Sequence, residues 1–104
     1  IKAARRAKPL NRLAIAHIQN GEGAAAVEAL RTALAIPNIG PPARAGLVYN
    51  LGIAVFMVEN YDLGQALIAH ARASGWLDTW RYRNAISWPP RTMYARHSVT
   101  ERHS

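Results

Sequence analysis

Arginines and aromatic side chains alternate in one stretch of the chain, residues 76–84. Arg81 and Arg83 carry the charge needed to hold phosphates, while Trp80 or Tyr82 offers a ring on which a base can stack. Proteins that bind single-stranded nucleic acid use this combination, and each stacked base contributes about 1–3 kcal/mol. The same aromatic rings would also serve to close the apolar end of a helix stack. The stretch therefore has two interpretations, contact with RNA or packing.

Basic residues are concentrated at the two ends of the chain. Residues 81–104 hold five arginines, Arg91 and Arg96 among them, against one acidic residue, whereas residues 13–80 hold three arginines against five acidic residues. Residues 1–12 contain no acidic residue and five basic ones: Lys2, Arg5, Arg6, Lys8 and Arg12. Such clusters bind phosphates without sequence specificity and release them as salt rises, and they would suit an acidic protein equally well. The charge pattern predicts partners that dock at the termini.

The chain offers little for catalysis or metal binding. It has no cysteine, no glycine loop of the kind that cradles phosphates and no paired carboxylates. His17 and His70 fall on predicted core-facing stripes of different helices, without a carboxylate at metal-ligand spacing; His97 and His103 lie near the C-terminal end without a partner. We therefore expect a protein that is not an enzyme and needs neither a cofactor nor a metal.

Apolar residues recur at helical spacing along most of the chain. The first stripe predicts a helix that Asn20-Gly21 ends, and a second helix follows from about Gly23 until the proline-rich run near Pro37. The core-facing residues of the first helix include His17 as well as apolar positions: Leu10, Leu13, Ala14 and Ile18. In the second helix, Glu28 and Arg31 can form an ion pair.

The third predicted helix begins near Ala43 and is the most apolar segment, so we expect it at the centre of the core. Its uncharged run, residues 45–58, is shorter than the roughly 20 residues that cross a bilayer, which predicts no membrane insertion. Asp62 is the expected N-cap of a fourth helix that Gly75 ends. A short fifth helix is expected after Asp78, followed by an extended basic tail.

Alanines recur 40 positions apart and indicate an internal repeat. This offset places Ala14 on Ala54, and in the second and fourth helices it places Ala26 on Ala66 and Ala33 on Ala73. The sequence thus predicts an all-α chain of two antiparallel helical hairpins, a short C-terminal helix and a basic tail. The expected divisions are a basic lead-in at residues 1–9, a helical-repeat domain at 10–88 and an extended arm at 89–104.

One helix pair matches a known repeat pattern. The matching positions are Leu10, Leu13, Ala14, His17, Ala26, Leu30 and Pro37. Over residues 7–86 the chain resembles the tetratricopeptide and pentatricopeptide families of helical repeats. The resemblance implies a fragment of an α-solenoid that binds other proteins. Two pairs are few for such an array, so we expect a neighbouring chain, or polypeptide upstream of Ile1, to cover its open faces.

The pentatricopeptide alternative depends on two similar segments, residues 48–50 and 81–86. Resemblance to that family implies binding to RNA, with a few side chains of each repeat presented to one base. The residue after each asparagine is Leu51 or Ala85, where that family typically places a polar side chain that reads a base. Contacts to the RNA backbone are therefore expected rather than sequence-specific readout.

These observations predict an adaptor or scaffold subunit that docks through its basic ends into a larger assembly. A ribonucleoprotein such as an organellar ribosome, in the matrix of a mitochondrion, is the expected host, with other protein subunits and RNA as partners. One alternative is a free-standing domain that binds peptides in the groove of its hairpins. Another is an accessory subunit on the soluble face of a membrane complex.

Overall fold

The computed structural model describes residues 2–77, which form four α-helices and no strand. The helices are α1 (Lys2–Gln19), α2 (Gly23–Leu34), α3 (Pro41–Met57) and α4 (Tyr61–Ala73). The expectation of an all-α fold is confirmed for this part of the chain. The expected fifth helix and basic tail lie outside the described residues.

Consecutive helices pack against one another. α1 contacts α2, α2 contacts α3, and α3 contacts α4, while α1 also reaches α3. The connections between these neighbours are short, with three residues between α1 and α2, six between α2 and α3, and three between α3 and α4. α3 contacts all three other helices and has the largest set of buried residues, with Leu47, Tyr49 and Ile53 fully buried. The third helix is therefore the centre of the core, as its sequence predicts.

The two helix pairs share one turn geometry. α1 ends at Gln19 and α2 begins at Gly23; α3 ends at Met57 and α4 begins at Tyr61, so both boundaries recur 38 positions later. Each turn has one residue with a left-handed backbone, at the same offset. These residues are Gly21, with φ 77°, and Glu59, with φ 69°.

The hydrogen bonds of these turns repeat at the same offset. The amide of Glu22 donates to the carbonyl of His17 at 2.7 Å, and the amide of Asn60 donates to the carbonyl of Val55 at 3.2 Å. Such a bond across a left-handed residue is the usual way of satisfying the free carbonyls at the end of a helix.

The predicted offset of 40 residues is wrong in the second half of each pair. Ala26 and Ala33 are fully buried, but Ala66 and Ala73 are exposed. Their counterparts at an offset of 38 are Gly64 and Ala71, and both of these are buried. At an offset of 38 the turns and several buried positions of the two helix pairs coincide, whereas alanine also occurs on the exposed side of α4.

Two glycines bring α3 and α4 into close contact. A Cβ atom added to Gly52 would lie 2.9 Å from the carbonyl oxygen of Gly64, and one added to Gly64 would lie 2.8 Å from the carbonyl oxygen of Gly52. Side chains larger than hydrogen do not fit at this crossing. Ala14 and Ala26, the counterparts in the first pair, are both fully buried.

Several helix starts differ from the predictions. α1 runs unbroken from Lys2 through Pro9, so residues 2–9 belong to the same helix as residues 10–19. α3 begins at Pro41 rather than near Ala43, because proline is compatible with the first turn of a helix, where its missing N–H has no partner to lose. Asn60, not Asp62, is the N-cap of α4, and Asp62 lies in the first turn, where its negative charge favours the helix dipole.

Candidate partner-binding surface

α1 has a narrow buried stripe and a broad basic face. Its buried residues recur every three or four positions: Ala7, Asn11, Ala14 and Ile18. The predicted core residue Leu13 is not among them, since it is 49% exposed. The rest of the helix circumference is free for polar side chains.

Four basic side chains of α1 are exposed to solvent: Arg5, Arg6, Lys8 and Arg12. We call these four residues the cationic face. The backbone of Lys2 begins the same helix, but its side chain is outside the description. The four residues predicted to contact a partner between positions 5 and 12 therefore all lie on the surface of one helix.

No carboxylate of residues 2–77 forms an ion pair with the cationic face. The ion pairs in this part of the chain join His17 Nδ1 to Glu22 Oε1 at 2.8 Å and Arg31 Nη1 to Glu28 Oε1 at 3.8 Å. The predicted pairing of Glu28 with Arg31 is confirmed. Within residues 2–77, the four cations of α1 are therefore not neutralised by a neighbouring carboxylate.

The cationic face does not help α1 to fold. Arg5 and Arg6 lie in the N-terminal half of the helix, where the dipole disfavours positive charge, and the first turn contains no acidic residue to offset them. Arg5 and Lys8 are three residues apart, and Lys8 and Arg12 four, so like charges face each other, which destabilises a helix by about 0.2–0.5 kcal/mol per pair. Both the helix dipole and the repulsion between like charges make this cluster unfavourable for the helix. A role in binding therefore explains the cluster better than a role in stabilising the fold.

The cationic face divides into a row and one residue beside it. Arg5, Lys8 and Arg12 are spaced i, i+3 and i+7, which places them along one side of the helix. Arg6 is rotated by about 100° from Arg5 and lies on the side that also carries Leu13. The row is the denser concentration of charge.

The remaining candidates lie outside the described residues: Arg81, Arg83, Arg91, Arg96, Trp80 and Tyr82. At the edge of the described part, Trp76 is half-exposed and Leu77 is buried. The structure therefore brings together the N-terminal candidates only.

The histidine predictions are partly wrong. His70 is exposed on α4, not in the core. His17 is half-buried and bonded to Glu22 across the turn between α1 and α2, so its partner is a carboxylate five residues away. Within residues 2–77, no group of three side chains is arranged to hold a metal ion.

α4 has a shallow depression on its surface. It is lined along one side of the helix by Gln65, Ile68, Ala69, Arg72 and Ala73. It is open to solvent, and no buried titratable group lines it. Its lining has one cation and no nucleophile, so it offers a shallow contact surface rather than a reaction site.

Sequence reasoning missed a buried polar pair. The side-chain amide of Asn50 donates a 2.8 Å hydrogen bond to Oδ1 of Asn11, joining α3 to α1 inside the core. The available signal was Asn50 itself, a polar residue in the middle of the uncharged run of α3, because a buried amide in an apolar helix needs a partner. The pair fixes how the first helices of the two pairs lie together.

Comparison of the chain with protein-family models, with curated proteins and with solved structures gave no match. Among residues 2–77, none of the helices combines the length and apolar character needed to cross a bilayer.

Proposed function

We propose that this chain is a helical-repeat adaptor without enzymatic activity that docks through its basic surface into a larger assembly. The host that fits best is a ribonucleoprotein, such as an organellar ribosome in the mitochondrial matrix. Its partners there are RNA, held through backbone phosphates, and neighbouring protein subunits.

The observation that carries this proposal is the cationic face. Four exposed cations lie on one helix, without an ion pair to the described carboxylates, at positions where they oppose helix stability. Phosphate groups would neutralise them and release condensed counterions, which is the main source of non-specific affinity for nucleic acid.

The repeat interpretation supports a scaffold. Helix boundaries, turn hydrogen bonds and left-handed residues recur at an offset of 38. Gly52 and Gly64, which cross closely, correspond to the small buried residues Ala14 and Ala26. These features favour two stacked hairpins of the tetratricopeptide kind, in which each unit packs on its neighbours and the outer faces serve for binding.

RNA affinity measured at two salt concentrations tests the proposal. We expect the full chain to bind a structured RNA and to lose affinity steeply as salt rises. Replacing Arg5, Arg6, Lys8 and Arg12 together by glutamine should reduce the slope of log affinity against log salt by about 0.7–0.9 for each phosphate contact that is lost. Since all four side chains are exposed, helical content measured by circular dichroism should remain.

Two results would count against the proposal. One is an RNA affinity that does not change with salt. The other is a quadruple variant that binds as tightly as the original chain, which would move the contact away from α1.

The depression on α4 favours a second candidate, a peptide-binding domain. Ile68 and Ala69 offer an apolar floor, and Arg72 offers one cation for a carboxylate. A peptide held there would bind with weak salt dependence, and Arg72→Ala would weaken it while leaving RNA affinity unchanged.

A further inference from the structure

The row of cations on α1 corresponds to the side of α3 that packs against the preceding helix pair. At the offset of 38 residues, the row corresponds to three residues of α3. Arg5 corresponds to Ala43, Lys8 to Gly46, and Arg12 to Asn50. All three residues of α3 are buried, whereas their counterparts on α1 are exposed.

This side of α3 packs on the preceding helix pair. Asn50 bonds to Asn11 of α1, and the space next to Gly23 of α2 is occupied by Ala54 and Met57. The counterparts of Ala54 and Met57 on α1 are Ala16 and Gln19, and both are exposed. The same helical side is thus an interface in the second pair and an open surface in the first.

Another apolar helix pair is a poor occupant for this open side. Stacked as the first pair stacks on α3, it would bury the three cations of the row, and a buried charge without a partner is strongly unfavourable. A ligand that complements this surface carries several negative charges spaced along the helix.

The spacing and chemistry of the row favour a phosphate backbone. Arg5 and Arg12 are seven residues apart, or about 10 Å along the helix axis, and their side chains are long enough to reach successive phosphates. α1 contains no Phe, Tyr or Trp, the rings on which proteins that bind single-stranded RNA mainly stack bases. Double-helical RNA exposes its phosphates and hides its bases, and it is recognised mostly through shape and backbone contacts.

We propose that Arg5, Lys8 and Arg12 bind the backbone of double-helical RNA along the exposed side of α1. This inference rests on the proposed function and narrows it to one side of one helix and one form of RNA. Arg6, which lies beside the row, contributes little.

Two triple variants of equal net charge test the proposal. In the row variant, Arg5, Lys8 and Arg12 are replaced by glutamine. In the control variant, Arg31→Gln, Arg44→Gln and Arg72→Gln remove three exposed arginines from the other helices. The ligands are a 20-base-pair RNA hairpin, a poly(U) strand with the same number of phosphates, and polyglutamate of matched charge.

We expect the unmodified chain to prefer the hairpin to both other ligands. The row variant should weaken hairpin binding by at least about tenfold near 0.1 M salt, while the control variant should change it by less than about threefold. Equal loss in the two variants would show that overall charge, not the row, holds the RNA.

Tighter binding of poly(U) than of the hairpin would contradict the proposal that the RNA is double-helical. Binding of polyglutamate as tight as that of the hairpin would indicate that the partner is an acidic protein. In each of these cases RNA binding itself can persist, so the wider proposal survives. If the unmodified chain binds none of the RNAs, the proposed function and this inference fail together.

Discussion

Gly52 and Gly64 face each other across the contact between α3 and α4, each within reach of the other's carbonyl oxygen. A Cβ atom on Gly52 would also lie 2.7 Å from Cγ1 of Ile68, and one on Gly64 would lie 2.9 Å from the backbone nitrogen of Phe56. The obstacles include backbone atoms, which cannot rotate away as a flexible side chain can. The helices can approach this closely only because neither position has a side chain.

Gly64→Ala should therefore destabilise the fold. Alanine favours a helix by about 1 kcal/mol relative to glycine, but forcing an extra carbon into a packed contact costs about 1–3 kcal/mol. Because two of the clashes are with backbone, we expect the clash to exceed the gain. Denaturant unfolding of the variant should show a lower free energy of unfolding. Ala66→Gly on the exposed side of α4 is the control, with a loss limited to about 1 kcal/mol; a Gly64→Ala variant as stable as the original chain would contradict the close crossing.

The Asn11–Asn50 hydrogen bond should show strong coupling in a double-mutant cycle. Either single change to leucine leaves the other amide buried without its partner, which costs about 1–3 kcal/mol. Replacing both amides by leucine, which has a similar shape, removes that penalty, and it also removes Asn11 Nδ2 and Asn50 Oδ1, buried atoms that have no partner in the structure. We expect the double variant to be more stable than either single variant. Additive losses in chemical denaturation would show that the two side chains do not interact.

Glu59 is expected to be strained, since it has a left-handed backbone where the first pair has Gly21. A side chain in that conformation costs about 1–2 kcal/mol. Glu59→Gly should raise the free energy of unfolding by up to about 1 kcal/mol, the gain being reduced by the greater freedom of glycine in the unfolded chain. Glu59→Gln keeps the strain and removes the charge, so thermal unfolding should show little change. A stability gain in the glutamine variant equal to that of the glycine variant would assign the effect to charge instead.

Neutralising the cationic face should stabilise α1 at low salt. With Arg5→Gln and Lys8→Gln, repulsion among neighbouring cations and with the helix dipole falls, for a total gain of about 0.5–1 kcal/mol. The gain should shrink at 0.5 M salt, because exposed charges are then screened beyond about 4 Å. Thermal unfolding at both salt concentrations measures it. A loss of stability at low salt would mean that these cations serve the fold.

The sequence was sufficient for the number and order of the described helices, because apolar spacing and the signals at Gly21 and Pro37 act locally. The repeat offset was not recoverable in the same way. Matching alanines such as Ala26 and Ala66 suggested 40 residues. The left-handed turn position is glycine in one pair and Glu59 in the other, so matching residue types does not reveal this equivalence. Burial favours an offset of 38 over one of 40, because Gly64 is buried while Ala66 is exposed.

The candidate surface was predictable in composition but not in position. Basic residues near the N-terminus are evident from the sequence, and their exposure follows from the buried stripe of α1. Their equivalence to the packed side of α3 depends on the correct offset and on which side of each helix meets its neighbour. Asn50 shows the same limit, since its partner Asn11 lies 39 positions away and becomes adjacent only when α1 and α3 pack together.

Protection of Lys8 from acylation tests the central claim most directly. Lysine occurs only at positions 2 and 8 of the chain, so mass spectrometry after brief treatment with an amine-reactive ester reports on α1 without interference from elsewhere. We expect saturating double-helical RNA to reduce modification of Lys8 several-fold at low salt, and high salt to restore it. Unchanged modification of Lys8 in the presence of bound RNA would show that the cationic face of α1 is not where the RNA lies.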